Sequence, residues 1–176
     1  MSAPPRGAHG PVALRQSGWR WLPLAAAVIV CDQVSKAWMV RHFMPFERVH
    51  LLKVLDIILT YNTGAAFSFL SEASGWQRWL FVLLAVAVST ALIVWLRRLP
   101  AASHGLLACG LALIVGGALG NLCDRIASGR VVDFVHVHWG SAYFPAFNVA
   151  DSAICIGIGL LFLDMRKKPE EHVATA

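Results

Sequence analysis

The run "HGLLACGLALIVGGALGNLC", residues 104–123, decides the fold. It is uncharged from Gly105 onward. A helix needs about 20 mainly apolar residues to cross the hydrocarbon core of a bilayer. Three further runs have the same character: about Trp21–Val40, Trp76–Leu96 and Phe147–Met165. Within the second, Trp79–Leu96 carries no charge. The whole chain agrees. Of its 176 residues 57% are hydrophobic and 14% charged, with a mean hydropathy of +0.62, whereas soluble domains carry about a quarter charged residues. One small soluble core cannot absorb that apolar excess, so the bilayer is the solvent. The expected fold is an all-α membrane protein, a four-transmembrane-helix bundle with a small extracytoplasmic β element.

The basic residues orient the spans. Arg6, Arg15 and Arg20 precede the first, Arg97 and Arg98 follow the second, and Arg166, Lys167 and Lys168 follow the fourth. The positive-inside rule puts these clusters on one side, with both termini cytoplasmic. Arg41, Arg48, Lys53, Arg125 and Arg130 fall on the other side, so the bias is not absolute. The first run is too long for a cleaved signal peptide and holds Asp32 and Lys36, which makes it a retained span. The net charge of +5 is explained by orientation and gives no reason to expect nucleic acid.

The expected organisation is a cytoplasmic tail over 1–18, a membrane domain over 19–166 with outer loops at about 41–75 and 124–146, and a second cytoplasmic tail over 167–176. Residues 1–18 and 169–176 read as disordered. The first outer loop contains "RVHLLKVLDIILTYNTGAAFSF", rich in β-branched and aromatic residues, with a turn signal at Asn62-Thr63-Gly64. It reads as a β element lying on the membrane surface, and "VVDFVHVHW" in the second loop reads as strand. Gly116 and Gly120 form a GxxxG, which lets helices approach closely in lipid. Cys31, Cys109, Cys123 and Cys155 form no CxxC and read as small buried hydrophobes.

The intramembrane polar residues gather near one interface. Asp32 and Lys36 lie in the outer half of the first span, on one helix face. Asn121, Asp124 and Arg125 lie at the outer end of the third. Asn148 and Asp151 open the fourth, and Asn62 and Asp133 come from the two outer loops. A charged side chain at mid-membrane costs about 2.5–3.5 kcal/mol on insertion scales, so several on one side call for a shared purpose. Two carboxylates forced together share a proton. One then serves as general base to a water while the other donates to a substrate carbonyl. That chemistry requires no metal, cofactor or covalent nucleophile, and no serine or cysteine here has an obvious base partner. His136 and His138 share one face of a regular strand and Asp133 the other, and no HExxH is present. The histidines therefore read as interfacial polar residues, not metal ligands. The alternative from another class is a small membrane transporter or proton channel. A channel spreads polar residues across the bilayer, but here the inner halves are nearly free of charge apart from Asp164. A non-catalytic scaffold gives no reason for so many acids and amides on one side.

Five blocks carry a family resemblance: "DQVSK" (Asp32–Lys36), "YNTGAAFSF" (Tyr61–Phe69), "GGALGNLCDR" (Gly116–Arg125), "VVDF" (Val131–Phe134) and "FNVADS" (Phe147–Ser152). In this order, on a four-span background, the chain resembles the lipoprotein signal peptidases (signal peptidase II), bacterial inner-membrane aspartic peptidases. The resemblance implies an endopeptidase that removes signal peptides from diacylglyceryl-modified prolipoproteins, cutting just before the lipidated cysteine. It implies a site near the periplasmic face, with membrane lipids as surroundings and no cofactor. The expected working unit is a monomer. The implied catalytic pair is Asp133 and Asp151, with Asp124 the rival of Asp133, and residue spacing does not separate the two. Asn62, Asn121 and Asn148 would hydrogen-bond the carboxylates or the substrate backbone. Arg125 would hold a carboxylate or a lipid phosphate. Asp32 and Lys36 would pair with each other, and Gly64 and Gly140 would let the outer loops move.

Overall fold

The computed structural model describes residues 17–64, 75–100 and 104–166. The two tails expected to be disordered lie outside the described residues, apart from Ser17 and Gly18, as does the "AAFSF" end of the second signature block. Four long helices form the body: α1 (Leu22–His42), α2 (Trp76–Arg98), α3 (Gly105–Ser128) and α4 (Val149–Met165). A short 3-10 turn, Gly18–Trp21, leads into α1. Pro23 sits in the first turn of α1, where amide hydrogens have no helical partner. Among the described residues, three helical stretches are long and apolar enough to cross a membrane: Gly18–His42, Trp76–Arg98 and Gly105–Ser128. α4 is shorter, with 17 residues, about 25 Å at the usual rise.

α3 is the central helix and packs against α1, α2 and α4. Its glycines set the spacing on both sides. A Cβ on Gly116 would stand 2.8 Å from the Ala25 carbonyl oxygen of α1, and one on Gly117 would collide with the Ala150 carbonyl of α4. Backbones this close gain van der Waals contact that lipid tails cannot supply. α2 buries only Gln77, Ser89 and Leu96. It leaves Trp79, Leu83, Leu84 and Trp95 exposed, a surface suited to lipid and costly in water.

α3 runs past Cys123, where its apolar run stops, to a C-cap at Gly129 with φ 76°. Asp124 and Arg125, expected at the start of the second outer loop, are therefore helical. The extension is possible because both side chains find partners: Asp124 on Lys36 and Gln33, Arg125 on the Gly64 carbonyl.

The two segments read as strand join in one antiparallel sheet, ordered β1 (Arg48–Leu52), β2 (Leu55–Asn62), β3 (Val131–Trp139) and β4 (Ala142–Tyr143). Gly140, at φ 58°, lies between β3 and β4. Leu59, Val132 and Phe134 pack on Met39 of α1, which seats the sheet where α1 ends and α4 begins. The amides of Phe134 and Val135 both donate to the Phe147 carbonyl, at 3.0 and 2.8 Å. Two residues against one is a β-bulge, which re-aims side chains along the strand. Asp133 and His136, expected on opposite faces of a regular strand, consequently line the same cavity.

Candidate active site

Asp133 is held by β3. Its backbone pairs with Thr60 of β2, whose hydroxyl donates to the Asp133 carbonyl at 3.2 Å. Asp151 stands in the first turn of α4, opened by an Asn148 capping box. Asn148 Oδ1 accepts from the Asp151 amide at 2.9 Å, and Asp151 Oδ2 accepts from the Asn148 amide at 3.3 Å. The other end of Asn148 reaches across to the strand: its Nδ2 donates to Asp133 Oδ1 at 2.7 Å. One fully buried amide thus touches both acids, the main chain of one and the carboxylate of the other.

The remaining oxygens have their own donors. Asn62 Nδ2 lies 3.3 Å from Asp133 Oδ2, and Asn121 Nδ2 lies 2.8 Å from Asp151 Oδ1. Asn62 is itself fixed, since its Oδ1 accepts from the Gly64 amide at 2.9 Å, the Asx turn that its sequence position suggests. The Asp133 carboxyl is pushed up to about 7, first by burial and then by the neighbouring charge of Asp151. Hydrogen bonds from Asn62 and Asn148 and the charge of Lys36 pull the other way and lose.

Both acids line a cavity of about 790 Å³ together with Asn62, Asn121 and Arg125, and its walls include Phe144, Phe147 and Ile154. Arg125 is clamped in its lining. Its Nη2 donates to the Gly64 carbonyl at 3.2 Å, its Nη1 to the Asn121 carbonyl at 3.3 Å, and its guanidinium lies 5.2 Å from the Phe81 ring centre.

Behind the cavity lies a buried ionic layer. Lys36 Nζ is 2.8 Å from Asp32 Oδ2 and 2.9 Å from Asp124 Oδ2. It also donates to Asn121 Oδ1 at 2.9 Å. That last bond fixes the Asn121 amide, because with Oδ1 facing the ammonium only Nδ2 can face Asp151. Asp32 accepts from the Ala150 amide at 2.9 Å, tying α1 to the start of α4. Asp124 accepts from Gln33 Nε2 at 2.9 Å and from the Val132 amide at 3.1 Å. It does not line the cavity.

Of the residues singled out in the sequence, Asp133, Asp151, Asn62, Asn121 and Arg125 meet at the cavity. Asn148 lies beneath them, Gly64 holds Arg125, and Asp124, Asp32 and Lys36 form the layer behind. The expected Asp32–Lys36 pair is present, with Asp124 as a third member. Gln33 and Thr60 were missed. Gln33 had a signal in the sequence, being a polar residue between Asp32 and Lys36 inside an apolar span. Thr60 had none, because its role depends on strand register. His136 and His138 both lie 5.3 Å from the Tyr143 ring, one stacked and the other tilted, but only His136 lines the cavity, and His138 also reaches Asp56.

The family model for signal peptidase (SPase) II matches residues 24–167. The chain belongs to the signal peptidase II family. It is 49% identical over 170 residues to the lipoprotein signal peptidase of Shewanella loihica, covering 93% of this chain and 98% of that one. The lipoprotein signal peptidase of Shewanella sp. (strain MR-4) is 51% identical over 154 residues, covering 88% of this chain and 90% of the relative. Among solved structures, one described as a bacterial membrane enzyme superposes with a TM-score of 0.75 at 29% identity, covering 88% of this chain and 94% of that chain. Family membership makes this signal peptidase II relative a protease, and its apolar helices fit a membrane-embedded one. The transporter alternative gives way to it.

Proposed function

We propose that the chain removes signal peptides from diacylglyceryl-modified prolipoproteins, cutting just before the lipidated cysteine, with Asp133 and Asp151 as the catalytic pair. One observation carries the assignment. Asp133 and Asp151 share a cavity and a common buried amide, Asn148, whereas Asp124 has both oxygens engaged away from it.

In this reading the pair holds one proton. The ionised carboxylate takes a proton from a water as it attacks the scissile carbonyl, and the protonated one donates to the carbonyl oxygen. The roles then reverse to protonate the leaving amine. Asn62, Asn121 and Asn148 keep the carboxylates facing the reacting carbonyl and limit the reorganisation needed in the transition state. Arg125 faces the substrate backbone or a lipid phosphate. The apolar wall at Phe144, Phe147 and Ile154 accepts the residues flanking the cut, while the acyl chains remain in lipid. α4 serves as the fourth span, about 25 Å long and close to the hydrocarbon thickness. Both termini are cytoplasmic, and the site stands near the periplasmic face of the inner membrane. The enzyme works as a monomer without a cofactor.

The test is cleavage of a purified precursor by the detergent-solubilised chain, with and without the diacylglyceryl group on its cysteine. Release of the signal peptide from the lipidated form alone is expected. Equal cleavage of both forms would remove the lipid from the recognition, and no cleavage of either would defeat the assignment.

A further inference from the structure

A second group of side chains stands outside the catalytic cavity. His50 of β1 is the cross-strand partner of Asp56 of β2, and Asp56 in turn lies opposite His136 of β3. His138 is two residues along from His136, the diagonal position within reach of a long side chain. Three adjacent strands thereby bring His50, Asp56 and His138 together, with their ligand atoms all within 4.8 Å of one another. His50 Nδ1 is 2.7 Å and His138 Nε2 3.3 Å from the same oxygen, Asp56 Oδ1.

Asp56 is 1% exposed. Its second oxygen has no hydrogen-bond partner among the described residues, and Arg48 Nη1 stands 3.7 Å from it. A buried carboxylate serving only as a hydrogen-bond acceptor gains by spreading two imidazole donors over both oxygens. Here both converge on one, which gathers three potential ligand atoms within 4.8 Å of one another. A hollow of about 530 Å³ opens beside the two histidines, lined by His50, Leu51, Leu52, Lys53 and His138, and it shares no lining residue with the catalytic cavity.

We propose that His50, Asp56 and His138 form a binding site for a divalent transition-metal ion of the zinc type. Two imidazoles and one carboxylate oxygen suit zinc and its neighbours better than magnesium or calcium, which favour all-oxygen shells. Zinc takes such ligands at about 2.0–2.2 Å, which sets tetrahedral donors about 3.3 Å apart. His138 already has that separation from Asp56 Oδ1. The His50 side chain is 74% exposed and free to withdraw by the small remainder. Water completes the fourth position. Arg48 and Lys53 oppose the ion's charge, so the site is weaker than a four-ligand structural site. Its effect is to staple β1 and β3 to β2. The site stands independently of the peptidase reading.

The test uses the untagged full chain in detergent, stripped with a chelator and desalted. Cobalt binding is followed by visible absorption and zinc binding by calorimetry. One zinc per chain is expected, displacing cobalt from a tetrahedral-type spectrum. His50→Ala and His138→Ala should each weaken binding at least about tenfold, and Asp133→Asn should leave it unchanged. His50 is exposed, so its variant keeps the fold, and zinc should raise the unfolding temperature of the parent but not of His50→Ala. Absence of saturable binding, unchanged affinity in both histidine variants, or loss of binding in Asp133→Asn alone would each overturn the proposal.

Discussion

Asn148 links capping and chemistry at one position. It opens α4, orders Asp151 through the main chain and donates to Asp133. Asn148→Ala should cost about 1–2 kcal/mol as a lost cap and lower kcat as well, because Asp133 loses its nearest donor. Denaturant melts and single-turnover cleavage measure the two effects separately. The raised Asp133 carboxyl gives a pH signature. Below about 7 it holds a proton and can donate. Above that value Asp133 loses the proton it would donate, so kcat/KM should fall along an alkaline limb with its midpoint near 7. Stability follows the same sign. The folded value lies above the ordinary 3.8, so folding binds the proton more tightly, and this contribution is lost as pH rises from about 4 through 7. Asp133→Asn, which carries no charge, should therefore lose this part of the pH dependence of stability between about 4 and 8, read from melts across that range. The family resemblance pointed to Asp133 with Asp124 as its rival, and spacing did not separate the two because it reports neither orientation nor partners. What separates them is the Val132 amide, Gln33 and Lys36 around Asp124, all placed by tertiary packing.

At the scale of elements, the helices were legible because a long apolar run has few alternatives in lipid. Their ends were less so. α3 continues through Asp124 and Arg125 because partners on α1 and the first loop receive them, which hydropathy does not record. The strand character of both loops was also readable, but their union in one sheet was not. It rests on pairing between segments far apart in sequence, and the bulge at Phe134–Val135 rests on Phe147. Two predictions belong here. Gly117→Leu drives a side chain into the Ala150 carbonyl, so α3 and α4 must separate. A markedly lower unfolding temperature in detergent and loss of cleavage should follow together. Lys36→Met leaves Asp32 and Asp124 buried without their cation and should destabilise by about 3–5 kcal/mol. Asp32→Asn should be milder, since Asp124 still pairs with Lys36.

At the scale of the molecule, a sheet and the helix ends beside it enclose the cavity that holds both acids, and the helices below expose an apolar surface. That asymmetry suits hydrolysis at an interface, with water on one side and the acyl chains of a substrate on the other. The proposed orientation predicts that reporter fusions at residue 1 and at residue 176 both report the cytoplasm. The central claim is that Asp133 and Asp151 together cut the precursor, with Asp124 in a supporting role. Its most direct test is single-turnover cleavage of a diacylglyceryl-modified precursor by folded Asp133→Asn, Asp151→Asn and Asp124→Asn. The first two should lose cleavage entirely while keeping the parent's helical content, and Asp124→Asn should retain measurable cleavage per folded molecule. Full activity in Asp133→Asn, with none in folded Asp124→Asn, would contradict the account and move the catalytic role to Asp124.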